Sequence, residues 1–207
     1  MSDIHLNFIN QSNDRNNSDI VIFQKNVAVS FEEIAVAWTV IQNCGQGWNH
    51  PFVYPSTMTV AASDSYGNFS PQLTASFGQQ FSVVEQTSGD TLILNDQSSA
   101  SVNEVEVLNG LHMGAINANI YKDGRLLATK TSIAPGQKAV FEFKPTIWIG
   151  VVSQIGEGDV MNSAILSNVN TEISLLGIKS ADIVMTGGGP GAESTPFMFS
   201  LQNVVYA

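Results

Sequence analysis

His50 sits in Gly45-Gln-Gly-Trp-Asn-His-Pro-Phe-Val-Tyr54, a glycine-bearing stretch that gathers Trp48, His50, Phe52 and Tyr54 within seven positions. Aromatic side chains combine a large contact area with a polar edge, so these four residues are candidate contacts for a sugar or a partner protein. They also have a plainer use, since Phe52 and Tyr54 alternate and can both face a core. The other histidines, His5 and His112, stand apart. No two of the three have the i,i+2 or i,i+4 spacing of a local zinc pair. The single cysteine, Cys44, excludes an intrachain disulfide and a zinc site built from cysteines. No Lys or Arg lies near it in sequence, so nothing local stabilises a thiolate and it reads as inert.

No cofactor is expected, with calcium the one candidate that the residue types suggest, because it takes several hard oxygens. Its candidate ligands are Asp64, Asn68, Asp90 and Asp96, with Glu157 and Asp159 in a further acidic turn. None of these has the spacing of a helix–loop–helix calcium loop, and Asp64 and Asn68 read first as turn formers. The string Thr186-Gly-Gly-Gly-Pro-Gly-Ala192 is glycine-rich, as phosphate-binding loops are. It lacks the Lys and Ser/Thr such a loop needs next, and Glu193 would repel phosphate, so a structural loop is expected. The chain has no Gly-x-Ser-x-Gly elbow. An enzyme is therefore not expected, and catalysis would need a site gathered from distant loops. Asn10-Gln-Ser12, Asn16-Asn-Ser18 and Asn68-Phe-Ser70 have the form of glycosylation sequons. An Asn- and Ser-rich chain produces these from composition alone.

Charge narrows the partners. Of 207 residues 13% are charged, and 18 acids against 8 bases leave a net charge of −10. That field repels nucleic-acid phosphates and anionic lipid. The bases are unevenly spread. Lys122, Arg125, Lys130, Lys138 and Lys144 cluster in a segment holding only Asp123 and Glu142 as acids, whereas Lys25 to Lys122 encloses eight acids and no base. These five bases are candidate interface residues, either as solvated strand faces or as a basic segment that meets the acidic part of a second copy. No apolar run approaches a membrane span. The N-terminal Met-Ser-Asp-Ile-His-Leu-Asn-Phe has no basic region followed by an apolar one, so synthesis in the cytoplasm without a secretory signal is expected, with lysis or non-standard export as routes out.

The elements that must position these residues repeat every two positions. Ile4, Leu6 and Phe8 alternate with polar residues, as do Met58, Val60 and Ala62, Phe81 and Val83, and Ile116, Ala118 and Ile120. Asp123-Gly124 between two such runs predicts a tight hairpin. Ala134-Pro-Gly-Gln137, Ser88-Gly-Asp90 and Gly156-Glu-Gly-Asp159 predict further turns. Residues 31–42 read two ways. Ser30 and Glu33 match a capping box before a short helix, but Ile34, Val36, Trp38 and Val40 alternate as a strand does.

Turns every 8–12 residues predict an all-β chain, an antiparallel β-sandwich of roughly 10–12 short strands with at most a short helix near 31–42. A single domain over 1–207 is expected, with two β lobes splitting near residue 110 as the alternative. The function expected from these features is non-catalytic, exercised through the surface by self-association or by protein or glycan binding, with a homo-oligomer as the expected assembly. The rival is a membrane-acting, toxin-like sandwich whose exposed aromatics would be Trp48, Phe52, Tyr54 and Trp148.

Overall fold

A computed structural model of the chain describes residues 2–15, 18–28 and 35–207. The fold is all-β and sandwich-like, with sixteen strands among the described residues. In chain order they are β1 (Ile4–Asn10), β2 (Asp19–Phe23), β3 (Thr39–Ile41), β4 (Asn49–Tyr54), β5 (Met58–Asp64), β6 (Leu73–Ala75), β7 (Gln79–Gln86) and β8 (Gly89–Ser98). They continue as β9 (Val105–Asn109), β10 (Ile116–Lys122), β11 (Arg125–Ile133), β12 (Lys138–Phe141), β13 (Thr146–Val152), β14 (Thr171–Ser174), β15 (Ile178–Gly188) and β16 (Thr195–Tyr206). The count exceeds the expected ten to twelve, and β3, β6, β12 and β14 have only three or four residues each.

The capping-box residues Ser30 and Glu33 lie outside the described residues. Beyond them, Ala35 and Val36 form isolated bridges and Thr39–Ile41 is strand, so the described part of 31–42 is extended. The α-helix among the described residues is α1 (Ser163–Asn168), capped by Asn162, whose side-chain oxygen accepts from the Ile165 N–H at 3.0 Å.

The chain divides into two compact units, one of Met1–Gln24, Val36–Ser56 and Pro145–Ala207, the other of Lys25–Ala35 and Thr57–Lys144. Residue 110 lies inside the second. The first unit holds two four-stranded sheets, in the orders β16-β15-β1-β4 and β14-β13-β2-β3. All pairings are antiparallel except β1 with β15, which run parallel from His5↔Ser180 to Asn10↔Met185. Ile4, Leu6 and Phe8 point to the core as alternation predicts. In β2 every residue from Ile20 to Phe23 is buried, so that strand is covered on both faces. A Cβ at Gly150, in the neighbouring β13, would lie 2.5 Å from the Asn168 carbonyl oxygen, which shows that the segment after α1 lies directly on this sheet.

The second unit repeats the scheme with sheets β11-β10-β5-β6 and β12-β9-β7-β8, where β7 and β9 are parallel. Its core comprises Val60, Phe81, Val107, Ile120, Leu127 and Phe141 among others, each no more than 1% exposed. The expected turns are in place. Asp123 and Gly124 both take positive φ between β10 and β11, and the Gln137 N–H donates to the Ala134 carbonyl at 2.9 Å. One polar network laces the second sheet. Fully buried Glu106 accepts from Lys138 Nζ and Gln80 Nε2, both at 2.6 Å, and from the Ala100 N–H at 3.1 Å.

Candidate functional site

The structure separates the aromatic residues of 45–54. Phe52 and Tyr54 turn inward from β4 and meet Trp38 edge-on, with ring centroids 6.5 and 5.9 Å away. Gln24 Nε2 donates to the Tyr54 hydroxyl at 2.7 Å, and burial pushes that phenol up to about 12. Trp48, 67% exposed, and His50 stay at the surface, so the four do not form one contact patch. Alternation does not separate them, since His50, Phe52 and Tyr54 fall on one face of β4; the apolar core covers only the Phe52–Tyr54 end of that face. Trp148 is half-buried and tilted against Phe23, leaving Trp48 as the exposed member of the aromatic set proposed for a membrane. Cys44 is buried and desolvation raises its pKa, in keeping with an inert thiol.

The basic segment is also dispersed. Lys122 is 5% exposed, and desolvation lowers its pKa to about 8. Lys138 is engaged by buried Glu106, and Arg125 lies 4.0 Å from Asp123. Lys130 and Lys144 are exposed. The five therefore do not add up to one positive surface, because strand alternation and ion pairing draw charge out of it. The glycine string closes the β15–β16 connection. A Cβ on Gly187 would stand 2.1 Å from the Pro196 carbonyl oxygen, and a 3-10 turn follows at Gly191–Glu193. Asn10, the first sequon residue, is 1% exposed and donates its amide to the Cys44 carbonyl at 2.6 Å, so it is a structural asparagine.

Three of the four calcium candidates do come together. Asp64, Asn68 and Asp90 line one groove of about 470 Å³ at an end of the second unit, while Asp96 projects from β8 elsewhere. One wall is the turn leaving β5. Asp64 Oδ1 accepts from the Tyr66 and Asn68 backbone N–H groups, 2.9 Å each, and Oδ2 accepts from Asn68 Nδ2 at 2.8 Å. The Asn68 side chain and backbone thus hold the Asp64 carboxyl below its ordinary range. The opposite wall is the β7–β8 turn with Ser88, Gly89 and Asp90, and the floor is Val83, Leu92 and Ile116. No family model matches this chain, and neither does any curated protein or solved structure compared with it.

Both Asp64 oxygens are committed to closing the turn, so its carboxylate shapes the wall more than it serves a ligand. Among the described residues no three His, Cys, Asp or Glu side chains come together to hold a metal ion. His50 and His112 are exposed and neither lines the groove. What the sequence reading missed is the ring that faces it. Phe69 is 62% exposed and lines the groove, with Tyr66, 91% exposed, in the same turn. Two aromatics inside a short polar turn were the available signal, because the core has no use for a ring at a turn tip.

Proposed function

We propose that this protein is a non-catalytic binding protein that acts through its surface, and that the second unit's groove takes a neutral glycan. The reading rests on one observation. An exposed ring, Phe69, stands in the same groove as Asn68, Ser88 and Asp90, and no Lys, Arg or His lines it. A sugar ring has an apolar C–H face that lies against an aromatic, and hydroxyls that donate to carboxylate and amide oxygens. An anionic ligand would meet Asp64 and Asp90 with no cation to offset them. The volume suits one or two sugar rings rather than a folded partner.

The test is a titration of the full-length protein, observed by amide chemical shifts, with neutral and with acidic oligosaccharides at millimolar concentration. Neutral ligands are expected to shift resonances of 62–71 and 88–92. Phe69→Ala and Asp90→Asn should each weaken binding by about tenfold, and Trp48→Ala should leave it unchanged. Shifts with acidic sugars alone, or none with any neutral sugar, overturn the reading.

A further inference from the structure

A strand at the rim of a sheet presents unpaired N–H and C=O groups, and folded proteins blunt such rims with short strands, charges, prolines or bulges. Among the described residues the four sheets have eight outermost strands. Four are blunted by length, since β3 and β6 have three residues and β12 and β14 have four. Mid-strand Pro51 interrupts β4. Strand β11 carries Arg125 and Lys130, and β8 carries Asp90 and Asp96. The eighth, β16, is different. It is twelve residues long, Thr-Pro-Phe-Met-Phe-Ser-Leu-Gln-Asn-Val-Val-Tyr, without a single charge. Pro196 lies at its start, and the pairing with β15 is irregular between Thr195 and Met198 and again near Asn203, leaving Met198–Gln202 in unbroken register.

This strand is also incompletely covered. Its neighbours across the ladder, Ile183, Val184 and Met185, are at most 1% exposed, yet Phe197, Phe199 and Leu201 are only half-buried and Met198 is 62% exposed. An apolar strip therefore runs along an open hydrogen-bonding edge.

The geometry points to a second copy of this chain as the occupant, with β16 pairing antiparallel to β16 about a two-fold axis near Phe199. Two copies each carrying −10 repel one another, so a stable contact must lie where charge is absent, and β16 is the long edge that meets that condition. Antiparallel pairing of a strand with itself is self-complementary and closed, as a two-fold interface requires. Centred on Phe199, it sets Phe197 opposite Leu201 on the half-buried face and Met198 opposite Ser200 on the other. The two four-stranded sheets become one of eight. The inference concerns the first unit and does not depend on the glycan groove.

The experiment is sedimentation equilibrium of the full-length protein over a range of concentrations and NaCl. A dimer is expected, tightening as salt rises, because screening removes repulsion between acidic copies while apolar and backbone contacts remain. A contact between the basic segment and an acidic patch would loosen with salt instead, and that trend overturns the proposal. Met198→Lys with Ser200→Lys places like charges opposite one another twice across the axis, and should weaken the dimer by about tenfold or more. A circular-dichroism spectrum and Tm matching the parent establish that the variant folds. Leu94→Lys, on the β8 edge, should leave assembly unchanged. A monomer under all conditions, a dimer indifferent to the double variant, or open-ended polymers each overturn it.

Discussion

Glu106 and Lys122 are the charged side chains most withdrawn from water among the described residues of the second unit, and their titrations have opposite consequences. Desolvation by itself would raise the Glu106 pKa. Lys138, Gln80 and the Ala100 N–H more than offset it and hold the carboxyl below its ordinary value. Its contribution to stability is therefore present above pH 4.5, the ordinary value, and lost as pH falls through the lowered one. Glu106→Gln should lower the unfolding free energy by about 1–3 kcal/mol near neutrality and flatten the acid limb, as read by urea unfolding at several pH values. Lys122 acts at the other end. Folded, it releases its proton at about 8 rather than 10.5, so the cost of burying its charge is in full force below that lower value and fades as pH rises between the two. Between about pH 7.5 and 10, wild type should gain on the order of 2 kcal/mol relative to Lys122→Met. A flat difference between the two proteins would mean that the ammonium is solvated.

None of this was legible in the order of residues. Lys122 reads as one of five surface bases until the sheet is built, because alternation tells which side of a strand a residue faces and not what covers that side. The same holds at the candidate site. Asp64, Asn68 and Asp90 were identifiable as polar turn residues, but only the meeting of two turns 20 or more positions apart sets them beside Phe69.

At the scale of elements, the turns were the most readable feature, because their backbone conformations restrict residue type locally. Asp123-Gly124 and Ala134-Gln137 make the hairpin and turn that their residues demand. The glycine string is a further case. Gly187 has φ +89 and lies against the Pro196 backbone, so a methyl group there must displace β16 as well as strain its own residue. Gly187→Ala should destabilise by about 3 kcal/mol and lower Tm by roughly 6–12 °C in a thermal melt. An unchanged Tm would mean that the β15–β16 connection yields freely. Strand partners, by contrast, were not readable. The parallel pairing of β1 with β15 joins residues 175 positions apart, such as Asn7 and Asp182, and no local pattern encodes it.

For the whole molecule, the acidic excess governs behaviour between copies. The net charge vanishes near the sequence pI of about 4.5, where the repulsion that keeps copies apart disappears. Turbidity against pH should peak there at low salt, and Met198→Lys with Ser200→Lys should reduce the peak if β16 is the surface that associates. A peak of the same height in that variant would locate acid-driven association elsewhere.

The sequence by itself determined the all-β class, turns such as Asp123-Gly124 and Ala134–Gln137, the inward side of β1, β5 and β10, and the sign of the molecule's field. Each follows from local sterics, a two-residue period or a sum of charges. Only the tertiary structure decided that the strands sort into four sheets in two discontinuous units, that Phe52 and Tyr54 are core while Trp48 is not, and that β16 is a bare edge. Those outcomes depend on which distant strands pair and where one layer stops covering another. That is a property of the assembled sheets, and it has no counterpart in any short stretch of chain.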